Sequence, residues 1–265
     1  MSQSVLNIAA YRFTPLSDLP LWKERFLMRT RELDLRGTIL VAHEGINLFL
    51  AGTEQAVNDF VTWLREIEPF AEIEVKYSWS DTVPFKRMKI KIKNEIIRMN
   101  HPSVHPFEGR APSVDSHTAL RWIRQGQDDE GRPVMLLDTR NEFEIEAGTF
   151  KGAQHWHLDR FTQFPEAVHD HYDEIRDKTV ISFCTGGIRC EKAALYMNEV
   201  GLDHVYQLEG GILKYFEETG GAEFEGTCFV FDERETLDPG LHPKPIVAHE
   251  ESETGVDKAD KADKT

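Results

Sequence analysis

The chain has 265 residues, 40% of them hydrophobic and five of them tryptophan, with three cysteines and a formal net charge of −15. That length holds one large domain or two ordinary ones, and that apolar content builds real cores, which excludes a disordered or fibrous chain. The small, odd cysteine count excludes a disulfide scaffold and leaves reactive thiols open, while the lack of an eighteen-residue apolar run or a secretory pattern in MSQSVLNIAAYRF points away from membranes and toward the cytoplasm.

In chain order, LNIAAYRF reads as a strand, and Leu19, Trp22, Phe26 and Leu33 fall on one face of a helix. GTILVAH and INLFLA flank Glu44-Gly45, a tight hairpin turn. Thr53 caps a second helix carrying Val57, Phe60, Val61 and Leu64, and EIEVKYSW alternates as a strand. This order predicts a ferredoxin-like or acylphosphatase-like α+β sandwich over residues 1–100, helices on one face of an antiparallel sheet. MKIKIK then alternates strictly, with Met88, Ile90 and Ile92 on one face and Lys89, Lys91 and Lys93 on the other. Residues 1–100 carry 14 Lys and Arg against 13 Asp and Glu, and the rest 17 against 33, so cationic character gathers in the stripe Lys86, Arg87, Lys89, Lys91, Lys93. Such a stripe is a candidate RNA-backbone contact even on an acidic protein, the alternative being a solvated strand face.

NHPSVHPFEGRAPS is a linker by composition, placed at 101–114. Asp115 caps the next helix, and from 115 to 222 apolar strands alternate with helices: strands near 134–138, 154, 179–183 and 204–208, helices near 141–147, 160–176, 190–200 and 211–218. Strands as apolar as TVISF are those of a buried parallel sheet, so this part is a doubly wound α/β unit with its site at the carboxyl ends of the strands. Residues 223–248 form a C-terminal extension, and 249–265, which end in EESETGVDKADKADKT, are expected to be a disordered acidic tail.

The chemistry concentrates in FCTGGIRCEKA. Cys184 stands at a strand end, and Gly186 and Gly187 let consecutive backbone N–H groups turn inward as an anion cradle. The amino end of the following helix and Arg189 add positive charge, which lowers a thiol pKa. The loop from Cys184 to Arg189 has six residues, one fewer than the phosphate loop of cysteine-based phosphatases, and suits a single added sulfur atom, a cysteine persulfide.

VISFCTGGIRCEKAALYMNEVGLDHVYQLEGGILKY resembles the catalytic half of a rhodanese domain, and LLDTRNEFEIEAGTFKGAQHW the other half, through Asp138, Arg140, Glu144, Gly148 and Gly152-Ala153. It departs in carrying Thr149 where a histidine is usual, and Cys190 where rhodaneses carry Ser or Thr. CTGGIRCEKA behind an α+β domain with HEGIN resembles a narrower family, the rhodanese-containing tRNA uridine hydroxylases. That resemblance implies oxygen-dependent conversion of the wobble uridine, position 34, to 5-hydroxyuridine. It also implies tRNA as partner through its anticodon loop, molecular oxygen as co-substrate with no other cofactor, and a sulfur donor. Cys184 and Arg189 would be catalytic, with Thr185, Gly186, Gly187 and Ile188 as the active-site loop. A sulfurtransferase passing persulfide sulfur to a small thiol or a protein acceptor is the alternative; oligomeric state stays open.

Cys190 either resolves a persulfide on Cys184 or is a half-buried helix residue, and Cys228 in GTCFVFDER reads as packing or as a second redox partner. His101 with His105 and His155 with His157 invite an iron reading, but prolines flank the first pair and a structural role suits His155, so no metal is expected. In AHEGIN, a turn explains Glu44 and Asn47 more cheaply than a substrate contact does.

Overall fold

The computed structural model describes residues 4–244 apart from 108, so the expected acidic tail and the last residues of the C-terminal extension lie outside the described residues. The first unit runs β1 (Val5–Phe13), α1 (Leu19–Glu32), β2 (Arg36–Ala42), β3 (Gly45–Gly52), α2 (Glu54–Arg65), β4 (Val75–Ser80) and β5 (Met88–Ile92). Asp18 and Thr53 cap the two helices by accepting from Leu21 N and Ala56 N. The helices cover one sheet face, where Ile8, Ile39, Leu48, Phe26, Phe60 and Phe70 form a closed core. The strand order is β4-β1-β3-β2-β5, an acylphosphatase-like sheet with one strand added.

That added strand departs from an all-antiparallel sheet, because β5 pairs with β2 in parallel. The geometry of the connection dictates it. The chain leaves β4 at one edge, crosses the end of the sheet, roughly 19 Å at 4.8 Å per strand, and can only run back antiparallel to β4. Along β5, Met88 and Ile90 pack on the helix-covered core, while Ile92 at the strand end is 42% exposed. Lys89 and Lys91 pair with Thr38 and Leu40, which places them on the opposite, helix-free face.

The second unit contains β6 (Ser113–Val114), α3 (Ser116–Gln125), β7 (Val134–Asp138), α4 (Glu142–Ile145), β8 (Gly148–Phe150), β9 (Gln154–His155), α5 (Phe164–Asp170), α6 (Tyr172–Ile175), β10 (Thr179–Phe183), α7 (Ile188–Glu199), β11 (Val205–Leu208) and α8 (Gly211–Thr219). Its sheet, ordered β6-β11-β10-β7-β9, is wholly parallel. Both faces are covered, as apolar TVISF requires: Met135, Leu137 and Val180 face α5 to α7, and Leu136, Ile181 and Phe183 face α3 and α8. Short strands β12 (Phe224–Gly226), β13 (Cys228–Phe229) and β14 (Thr236–Leu237) follow, and Cys228, Val230 and Leu237 join the α3 and α8 core. No helix among the described residues is long and apolar enough to cross a membrane.

The segment read as a linker lies against the second unit, with Val104 and Ala111 in its core. The two units are also fastened by charge. Lys192 of α7 is buried, and its Nζ donates to Glu44 at 2.8 Å, to Glu95 at 2.7 Å and to the Ile97 carbonyl at 2.9 Å. Glu44 also accepts from Ile96 N at 2.7 Å. The HEGIN turn is therefore a hairpin turn whose acid clasps the second unit. Arg234, in the C-terminal extension, reaches back to the Ser78 hydroxyl at 2.7 Å.

Removing one partner of a buried pair leaves the other uncompensated, at a cost of about 3 kcal/mol. Lys192→Met should lower the urea midpoint accordingly, and Glu44→Gln should lower it less, because an amide still accepts from Ile96 N. An unchanged midpoint for Lys192→Met would remove the clasp.

Candidate active site

β10 ends at Phe183 and delivers Cys184 to the carboxyl edge of the sheet, where its side chain is only 1% exposed. The backbone then turns through Gly187 at φ 94°, a left-handed conformation suited to glycine, and α7 begins at Ile188, two residues earlier than the pattern suggested. The Gly187 N–H donates to Cys184 Sγ at 3.2 Å. α8 braces the loop from behind: Ile212 N and Leu213 N donate to the carbonyls of Cys184 and Thr185. Gly211 allows that approach, since a Cβ there would stand 2.5 Å from the Cys184 carbonyl oxygen.

Burial alone would push the Cys184 thiol up. The neighbouring Cys190 thiol, the Arg189 guanidinium and the amides of Arg189 and Cys190 outweigh it and bring the pKa down to about 5. Arg189 is not free to embrace a ligand, because both its Nη atoms bind Glu144, at 2.5 and 2.7 Å. Its buried Nε has no hydrogen-bond partner, so one donor of the fork remains for the site. Thr185 Oγ1 lies 3.4 Å from Glu144 Oε1 and 3.3 Å from the Phe229 carbonyl, two acceptors that share its single proton.

Behind this pair, Arg140 and Asp138 form a fully buried bidentate bridge, and Arg140 also donates to the Gly148 carbonyl at 2.6 Å. Thr149, standing where the usual histidine is absent, donates to Asp138 at 2.7 Å and so remains part of the same network.

All three cysteines are free. Cys190 is wholly buried rather than half-buried, 3.6 Å from the Thr139 hydroxyl; burial and the adjacent Cys184 hold its thiol well above the ordinary range. Cys228 sits in the α3 and α8 core, and burial pushes its thiol up to about 12.

Cys184 opens into a cavity of about 620 Å³ between the two units. Thr185, Gly186, Ile188 and Arg189 line one wall. The helix-free face of the first sheet forms the other, through Tyr11, Phe49 and Lys76. Arg98, Arg160 and Arg234 also line it, although the sequence reading singled out none of the three. The stripe Lys86, Arg87, Lys89, Lys91 and Lys93 is exposed and does not line the cavity, yet Lys89 and Lys91 extend the same sheet face outward. Near the mouth, Phe143 and Phe231 are 45% and 51% exposed and meet edge to face with Phe229.

Glu142, His155 and His157 gather their ligand atoms within 4.8 Å of one another and could hold a cation. His157 Nδ1 lies 2.9 Å from Glu142 Oε2, His155 Nδ1 at 3.7 Å. His157 is well exposed, which makes this a surface group.

A parallel five-stranded sheet, a six-residue loop from Cys184 to Arg189 and the Asp138, Arg140 and Glu144 scaffold define a rhodanese-type cysteine protein, here joined to an acylphosphatase-like domain. Family models agree: a UPF0176 acylphosphatase-like domain matches residues 5–96 and a rhodanese-like domain residues 119–218. The chain is 59% identical over 245 residues to the tRNA uridine(34) hydroxylase of Bordetella petrii, covering 92% of this chain and 97% of that one. The proteins of the same name from Bordetella avium and Delftia acidovorans are 60% and 57% identical, over 91% of this chain and 99% and 92% of theirs. The chain belongs to the tRNA uridine(34) hydroxylase family.

Alkylation of the native protein by iodoacetamide should be confined to Cys184 and should rise with pH through an inflection near 5, since the thiolate forms above that value. Arg189→Met should move the inflection toward the ordinary thiol range. An inflection that stays near 8.5 in the wild type, the ordinary value, would overturn the electrostatic account.

Proposed function

We propose that this protein hydroxylates uridine 34 of tRNA to 5-hydroxyuridine in the cytoplasm, with molecular oxygen as co-substrate. The observation that carries this reading is Cys184, cradled by the Gly187 N–H beside Arg189, at the wall of a cavity lined by rings and cations, in a chain of this family. Carbon 5 of uracil becomes electron-rich once a nucleophile adds at carbon 6, and the sulfur at Cys184 is that nucleophile in this mechanism. The amide cradle and Arg189 keep it charged, and Glu144 fixes Arg189. Cys190 serves as a neutral S–H neighbour to the thiolate. Its own raised pKa makes it a poor attacking sulfur, which favours this role over resolving a persulfide.

The cavity volume lies within the range of ligand sites, and an anticodon loop presents its bases unpaired at small cost. Flanking bases would stack on exposed Phe143 and Phe231, and the backbone would follow Arg98, Arg160 and Arg234 outward to Lys89 and Lys91. The commitment of both Arg189 Nη atoms to Glu144 supports a sulfur-based site over one that receives a phosphate.

Nucleosides of total tRNA from a deletion strain should lack 5-hydroxyuridine, and wild-type protein should restore it while Cys184→Ser should not. Unaltered nucleosides together with brisk thiosulfate-to-cyanide transfer would instead identify a sulfurtransferase. Lys89→Glu with Lys91→Glu should weaken tRNA binding and flatten its dependence on salt; unchanged affinity would remove that contact.

A further inference from the structure

Among the described residues four cationic side chains are buried: Arg140, Arg189, Lys192 and Lys76. The first three have carboxylate partners in Asp138, Glu144 and the pair Glu44 and Glu95. Lys76, 8% exposed, has neither an ion pair nor a hydrogen bond among the described residues. Its stem is buried while its Nζ keeps contact with the cavity, so an ammonium without a carboxylate partner stands at the surface of a ligand-sized space.

Its placement indicates that use. Lys76 lies on β4 opposite Ala9 of β1, on the sheet face that walls the Cys184 cavity. Its Nζ stands 5.0 Å from the centre of the Tyr11 ring, a cation–π contact that leaves its three N–H donors unmatched. Tyr11 in turn reaches the catalytic loop: its hydroxyl donates to Glu191 at 3.1 Å and lies 3.2 Å from where a Cβ on Gly187 would stand. The charged groups facing Lys76 are Glu74 beside it on the chain, Cys184 and Glu191 across the cleft, and Lys214 on α8. Burial pushes its pKa down, and Glu74 and the Cys184 thiolate oppose that.

We infer that Lys76 is a catalytic residue whose ammonium binds oxygen 4 of the target uracil and holds the negative charge that reaches it when the sulfur at Cys184 adds to carbon 6. The step is a conjugate addition without net oxidation. The S–C6 bond forms, the C5=C6 π pair moves to C4–C5, and the C4=O4 π pair comes to rest on oxygen 4 beside the ammonium. Preorganised charge at a developing oxyanion is the usual source of large rate effects. This role rests on the reading of Cys184 as the nucleophile.

The two are separable with an anticodon stem-loop carrying 5-fluorouridine at position 34, which traps a sulfur adduct at carbon 6 as a gel-stable complex. Lys76→Met should form the adduct about 100-fold more slowly than wild type, a loss that persists at saturating stem-loop and so exceeds any loss of affinity. Lys76→Arg should recover much of the rate. Its loss of rate at alkaline pH should begin higher than in the wild type, because a guanidinium stays charged; a lysine that only fills space would not move that limb. Trapping by Lys76→Met at the wild-type rate overturns the lysine's role alone. Adduct formation, or 5-hydroxyuridine in cells, supported by Cys184→Ser overturns the nucleophile reading and the lysine's role with it.

Discussion

The structure depends on keeping one sulfur negative where water is largely excluded. Desolvation opposes that charge, and no single group answers it: backbone amides, the amino end of α7, a neighbouring thiol and a guanidinium share the task. Because Arg189 is itself buried, it needs Glu144, and Glu144 needs a fixed backbone. α4 supplies it, with the Glu144 carboxylate also accepting from Asn141 N and Arg140 donating to the Glu144 carbonyl. The buried acids and arginines of the rhodanese half thus form a chain of compensation that ends at Cys184. A ligand entering the cavity meets a thiolate whose charge is already balanced from behind.

The first domain acts as a wall. Its helices seal one sheet face, and the other is closed by the second domain, by residues 96–100 and by Phe231 and Arg234 of the C-terminal extension. The Cys184 cavity therefore sits between domains, a common location for ligand sites. β5 widens the wall by one strand and carries its lysines on the same face, which continues the cavity surface toward solvent.

The local patterns were legible because they are local. Caps at Thr53 and Asp115, the Glu44-Gly45 turn and apolar β10 follow from backbone chemistry within a few residues. The loop around Cys184 declared itself through its glycines and Arg189. What escaped is what only tertiary contact creates. Lys76 alternates with Val75 and Tyr77 as a solvent-facing strand residue would, and is buried only because another domain covers that face. Lys192 sits in a charged helix turn, CEKA, with nothing to indicate acids 97 and 148 residues away. Arg234 falls in a stretch without periodicity. The direction of β5 was hidden likewise, since alternation specifies a strand and not its partner.

α7 carries the Cys184 loop at its start and Lys192 one turn later, so the helix that shapes the thiolate is also the one riveted to the first domain. Cutting the chain between the two family-matched segments would take both carboxylates from Lys192 and bare the apolar side of a cleft. The two modules thus behave as one mould: an isolated rhodanese half would keep only one wall of the cavity, and swapping in a foreign partner would require acids placed where Glu44 and Glu95 now stand.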